Sequence, residues 1–177
     1  MNKRLTSSLL LSSAFLSFGV LANVSPAWHI DELSSSTGYT TSGESQKSHH
    51  FGLVKHSNTC GSDELMVSWS SDSAEIWSLA GQTITMDAEF NGVAISLPLE
   101  VVAIKPMSGN THEVVMGHVF ANSELLDLMQ HSDTVNVLIP ASSDASRHFT
   151  SPADRFSLAG FNEARAKAMS RCNSKSS

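Results

Sequence analysis

Eight histidines in a chain of 177 residues are the first side chains here that could do chemistry. His49 and His50 are adjacent, His56 follows His50 by six residues, and His112 and His118 repeat that spacing. In an extended strand, residues an even number apart share a face. Set on neighbouring strands, His50, His56, His112 and His118 would offer four imidazole nitrogens, a donor set that suits zinc or copper. No known ligand motif matches these spacings. Glu113 follows His112, but Met116 stands where H-E-x-x-H needs its second histidine. The competing reading makes them polar side chains beside loops, with His118 hydrogen-bonded at the edge of the core. No cofactor is expected.

Nucleophilic and acid–base chemistry finds less support. There is no G-x-S-x-G, and no lysine stands three residues after a serine. His29 and Asp31 would share a strand face, yet serines are so numerous that no Ser-His-Asp set can be singled out. A glycosidase carboxylate pair could be drawn from Glu75, Asp87, Glu89, Glu100 and Glu113. Asp87 and Glu89, however, alternate with apolar neighbours, which is the pattern of a solvated face. Catalytic residues are therefore not nominated, and the chain reads as non-enzymatic. Contact residues are easier to name. Trp28 and Trp69 read as core, whereas Trp77 follows the polar run Ser70-Ser71-Asp72-Ser73 and reads as a loop contact. Tyr39, Arg147 and His148, each in a polar segment, join it as candidate binding residues.

Cys60 and Cys172 are the only cysteines. An even pair in an exported protein usually bonds. Closing a loop of over a hundred residues is worth about 4 to 5 kcal/mol in the chain-entropy model. Export is indicated by the first residues. Met1-Asn2-Lys3-Arg4 is a basic start, Leu9 to Val20 is apolar, and Val20-Leu21-Ala22 presents small residues at a cleavage site. Residues 1–22 thus read as a signal peptide and 23–177 as a single β-rich domain, periplasmic or secreted after cleavage following Ala22. The apolar run is about half the 20 residues a membrane span needs, and no later segment is a better candidate. The net charge of -6 grows more negative once Lys3 and Arg4 are removed, which argues against nucleic acid as a partner.

The elements that must position these residues are mostly strands. Charged residues make up only 16% of the chain, well below the usual share, and serine and threonine take their place. Ala27 to Leu33 reads as a first strand, Ser34 to Ser48 as an exposed loop or polar hairpin, and Phe51 to His56 as a strand. Glu64 to Ser70 follows with Leu65, Val67 and Trp69 on one face. The strongest pattern runs from Thr83 to Val101. Ile84, Met86, Ala88 and Phe90 alternate with polar residues up to Asn91-Gly92, the preferred pair for a two-residue type I′ turn. That turn pairs Phe90 with Val93, Ala88 with Ile95, Met86 with Leu97 and Ile84 with Leu99, with Phe90 and Val93 inward. A slip of one residue would set each against a polar partner. Pro98 has no N–H to donate, so its strand should be free or bulged on one side.

His112 to Phe120 reads as a strand with Val114, Met116, His118 and Phe120 on one face. Ser123 would N-cap a short helix that buries Leu125, Leu128 and Met129. A strand at Val135 to Ile139 precedes a polar loop from Ala141 to Asp154. Phe156 to Leu158 is a last strand, and Phe161 to Arg171 a helix with Phe161, Ala164, Ala168 and Cys172 on one side. The expected fold is mainly β: an antiparallel β-sandwich with a short internal helix and a C-terminal helix docked through the disulfide.

Cys60 ahead of Leu65-x-Val67-x-Trp69, then Phe120 with Leu125-Leu126, then Phe156-Ser157-Leu158-Ala159-Gly160-Phe161 with Ala164 and Cys172, follow one another along about two thirds of the chain. This pattern resembles the invasion-associated locus B family and the TagO/VasI accessory proteins of type VI secretion. The first family usually carries more cysteines, and the second an arginine-rich middle that is missing here. The resemblance implies an envelope β-sandwich with a docked C-terminal helix and carries over no catalytic residue. The expected function is protein–protein binding in the envelope or outside the cell, in an accessory, invasion or secretion-associated role. An acidic inhibitor or immunity protein against a basic hydrolase is the alternative from charge, a metal-binding periplasmic protein the alternative from the histidines, and an enzyme of unrecognised type a further one. Binding residues are expected in the loops.

Overall fold

The computed structural model describes residues 28–175, so the signal peptide and the start of the first strand lie outside the described residues. Nine strands form one antiparallel sheet. They are β1 (Trp28–Glu32), β2 (Ser36–Ser42), β3 (His50–His56), β4 (Glu64–Ser71), β5 (Thr83–Phe90), β6 (Val93–Pro106), β7 (His112–Phe120), β8 (Thr134–Leu138) and β9 (Ala153–Ser157). Their order across the sheet is β1-β2-β3-β4-β7-β6-β5-β8-β9. Two helices accompany them, α1 (Ser123–His131) and α2 (Phe161–Lys175), with short 3-10 turns at Ile76–Leu79 and Asp144–His148.

The sheet is curled. Phe51 of β3 meets Phe90 of β5 at 6.4 Å and Phe156 of β9 at 5.7 Å between ring centroids, although neither strand adjoins β3. Gly43, just past β2, bridges to Phe156, and the Glu44 N–H donates to the Arg155 carbonyl at 2.8 Å. The expected mainly antiparallel β fold is thus a single curled sheet whose flanks face each other across one core. Trp69 is fully buried, and Trp28 nearly so.

The Asn91-Gly92 hairpin has the expected register at all four apolar pairs. Asn91 and Gly92 both take positive φ, 47° and 86°, which is the type I′ geometry. Val93 departs from expectation: at the tip it is exposed, while Phe90 opposite is buried. The segment Ser34 to Ser48 departs more. Its middle, residues 36–42, is the strand β2 with six of seven residues buried, while Ser34, Ser35 and Glu44 to Lys47 remain exposed. β2 and β3 approach closely at Gly52, where a Cβ would collide with the Tyr39 carbonyl and Thr40.

Helix α2 buries the predicted side, Phe161, Ala164, Ala168 and Cys172. Phe161 packs against Trp28 at 5.4 Å and Tyr39 at 6.3 Å. Cys172 is disulfide-bonded to Cys60, Cα atoms 5.7 Å apart, so the helix is tied covalently to the β3–β4 connection.

Candidate protein-interaction site

A two-residue turn fixes which backbone groups of β6 face β5. Phe90 and Val93 exchange hydrogen bonds, and this parity carries to Ala88 with Ile95 and Met86 with Leu97. The backbone groups of Ala94 and Ser96, and the carbonyl of Pro98, therefore point to the other side of β6. A proline costs no ladder bond at such a position, which explains how a 14-residue strand accommodates Pro98.

On that other side β7 pairs with β6 only from Glu100, opposite Gly117, to Pro106, opposite His112. At His118 the chain turns away through a left-handed φ of 66°, a conformation costly for a residue with a Cβ. Two carboxylates hold it there. Glu64 accepts the His118 N–H at 2.9 Å, and Glu100 lies 3.2 Å from the imidazole Nδ1. Beyond this point β7 follows β4 alone, Val119 opposite Leu65 and Phe120 opposite Glu64. The predicted single inward face of β7 therefore ends at Met116, and His118 and Phe120 are exposed. Asn122, not Ser123, caps α1, its side-chain oxygen accepting the Leu125 N–H at 2.8 Å.

The divergence leaves a wedge-shaped cavity of about 220 Å³ between β6, the end of β7 and α1. Ile95, Val119, Phe120, Leu125 and Leu128 give it an apolar side, and Ser96, Asn122 and Glu124 a polar one. Phe120, 64% exposed, and Val93, 49% exposed, stand at the surface on these same elements. Unpaired strand edge and apolar surface coincide.

Residues nominated from sequence are distributed differently. Trp77 is half-exposed on the first 3-10 turn, edge-on to His112 at 5.4 Å. Arg147 is exposed, while His148 is buried, with Nδ1 3.2 Å from the Ser73 hydroxyl and its carbonyl accepting from Ser71 at 2.6 Å. Ser71 pairs with His112, so Trp77 and Arg147 flank the same end of β4. Tyr39 is a core residue and not a surface contact. Its hydroxyl donates to Asp63 at 2.6 Å, and burial, followed by the Asp63 carboxylate, pushes its ionisation far above the usual tyrosine range.

The four histidines considered as metal ligands do not converge. His50 lies beside Ser42 at 3.4 Å, His56 beside Glu64 at 2.6 Å, His118 beside Glu100, and His112 faces Trp77. Among the described residues no group of three or more His, Cys, Asp or Glu side chains is placed to hold a metal ion.

Two polar clusters escaped sequence reasoning. Asp63 receives Lys55 at 2.6 Å, Tyr39, and Arg165 of α2 at 2.9 Å; Lys55 and Asp63 are fully buried. The inward parity of Phe51, Leu53 and Lys55 was the available signal for Lys55. Asp154 accepts the backbone N–H groups of Ser45, Gln46 and Arg155 and lies 3.1 Å from His49 Nδ1. Nothing in the sequence connects residues so far apart. Burial acts to raise the Asp154 pKa, but those N–H groups and then His49 outweigh it, and the carboxyl titrates below its ordinary value. His49 is held below its ordinary value by burial, against the opposing pull of Asp154.

No family model matches the chain, and neither a curated protein nor a solved structure matches it. No helix among the described residues is long and apolar enough to cross a membrane.

Proposed function

We propose that this is an exported protein, periplasmic or secreted, that works by binding another envelope or secreted protein, and that it does so by taking an extended segment of that partner against the free side of β6. The observation that carries this reading is the one-sided pairing of Val93 to Leu99 beside a wedge with one apolar side. Unpaired backbone groups on a strand edge are satisfied by another strand. The partner segment is therefore extended, with an apolar side chain for the wedge. The basic-apolar-small start of the chain, the disulfide and the resemblance of its short motifs to those of exported envelope families support the compartment.

Ser96→Pro tests the mode of binding. Its N–H faces away from β5, so the substitution removes a free donor without breaking the hairpin ladder, much as Pro98 already does. A photocrosslinking side chain placed at Phe120 in the expressed full-length protein reports contact. A discrete heterologous adduct, lost in Ser96→Pro at an unchanged melting midpoint, supports the reading. An adduct of equal yield in Ser96→Pro overturns strand addition, and an adduct with a second copy of this chain overturns the separate partner.

A further inference from the structure

At the opposite end of β4, the Asp154 cluster continues to the surface. His49 Nε2 lies 3.0 Å from the Ser70 hydroxyl, and Ser48 donates to that same oxygen at 3.2 Å. The hydrogen-bond chemistry leaves one consistent arrangement. Both Asp154 oxygens already accept backbone N–H groups, so the carboxylate can only accept from His49 Nδ1–H. That makes Nε2 of the neutral imidazole an acceptor, and Ser70 must donate to it. His49 is fully buried and stacked on Trp69 at 4.2 Å, which fixes the ring, whereas Ser70 is half-buried on the outer face of the sheet.

We infer that Ser70, His49 and Asp154 form a nucleophilic serine site for carboxylic esters, with Ser70 as nucleophile, His49 as base and Asp154 as the group that orients the base. The three parts occupy the roles an acyl-transfer triad needs, at hydrogen-bond distances. A place for substrate adjoins them. A cleft of about 730 Å³ runs over the outer face of β1 to β4 and β7, lined by Met66, Ser68 and Glu113 among others. Ser68 precedes Ser70 by two residues on the same strand face, and Glu113 pairs directly with Ser70. Ser70 itself lies just outside the lining of this cleft, next in register to Ser68 and opposite Glu113, both of which line it. The Ser68 hydroxyl is buried without a hydrogen-bond partner among the described residues, a polar group left for a ligand.

The reaction balances with ester and water alone. Ser70 Oγ bonds to the acyl carbon as its proton passes to His49 Nε2, and the ester C–O bond breaks. The leaving alkoxide takes that proton and departs as the alcohol. Water then attacks the acyl-serine and returns a proton through His49 to Ser70, releasing the carboxylic acid.

The purified, disulfide-bonded protein is incubated with an alkyl fluorophosphonate, and labelled peptides are located by mass spectrometry; p-nitrophenyl acetate hydrolysis is followed in parallel. A positioned base contributes about 100-fold or more, so Ser70 should be labelled at least that much faster than any other serine. Ser70→Ala should abolish label and hydrolysis at a melting midpoint within a few degrees of the parent. Ser70→Cys should restore reactivity, now toward iodoacetamide. Folded parent protein that takes up no label at Ser70, or labels several serines at similar rates, overturns the site. So does a Ser70→Ala protein that melts normally and hydrolyses the ester at the parent rate.

Discussion

Asp63 and Asp154 are both buried aspartates that join segments distant in sequence, yet they are satisfied in opposite ways. Asp63 is surrounded by formal charge, Lys55 on one oxygen and Arg165 on the other, with the Tyr39 hydroxyl completing it. Every partner belongs to the body of the fold, and the cluster sits beside the disulfide that anchors α2; Lys55 also donates to the Cys60 carbonyl at 3.1 Å. Asp154 is satisfied by three neutral backbone donors and one imidazole, and its chain of hydrogen bonds leads outward to Ser70. The first cluster is closed and can only hold. The second has a movable proton and a half-exposed end.

Removing the carboxylate should expose this difference most strongly. Asp63→Asn leaves Lys55 buried without its counter-charge and should cost about 3 to 5 kcal/mol. Asp154→Asn loses hydrogen bonds and strands His49, at about 1 to 3 kcal/mol. Urea midpoints compare the two, and an equal or larger loss at Asp154 would break the distinction. Cys60→Ser comes next, at about 2 to 4 kcal/mol. Because it and Asp63→Asn both release α2, their costs should fall short of additive by at least about 0.5 kcal/mol, whereas Cys60→Ser and Asp154→Asn should add. Additivity in the first pair would show that the disulfide and the Asp63 cluster act separately.

Gly92→Val supplies a perturbation remote from both clusters. Positive φ is strained for a β-branched residue, so the hairpin should lose about 1 kcal/mol or more. That loss should add to either aspartate variant within about 0.5 kcal/mol. Coupling to Asp63→Asn but not to Asp154→Asn would mean that the hairpin tip shares the closed cluster's cooperative unit.

These contrasts also mark what could be read from sequence. The hairpin register followed from period-2 alternation around Asn91-Gly92, because local pattern and turn chemistry agree there. The buried side of α2 followed from spacing, and Pro98 announced a free strand side. What sequence could not supply was anything made by long closure. Ser36 to Ser42 is too polar to look buried until β1, β3 and α2 cover it. Asp154 stands more than a hundred residues from His49, so the Ser-His-Asp set was lost among many serines. His118 alternates like its neighbours, and only the paired claims of Glu64 and Glu100 divert it.

The smallest effects are those of pH, and they should separate the clusters by direction. His49 titrates below its ordinary value in the folded protein because burial disfavours the imidazolium. Between that lowered pKa and about 6.5, the unfolded chain binds the proton that the folded chain refuses. Stability contributed at His49 is thus full above about pH 6.5 and declines as the pH falls below it. Asp154, also lowered, adds a further loss at more acidic pH. Tyr39 is the reverse case. Its folded pKa is raised by burial and then by Asp63, so the folded protein keeps a proton that the unfolded chain releases above about pH 10. Its contribution is full below pH 10 and is lost as the pH rises from there. Melting midpoints taken from pH 5 to pH 11 should therefore fall at both ends. His49→Gln should flatten the decline between pH 7 and pH 5 while leaving the alkaline one, and Tyr39→Phe should do the opposite. If Tyr39→Phe flattened the acid limb instead, the two aspartates would belong to one coupled network, and the division between a closed cluster and an open one would fail.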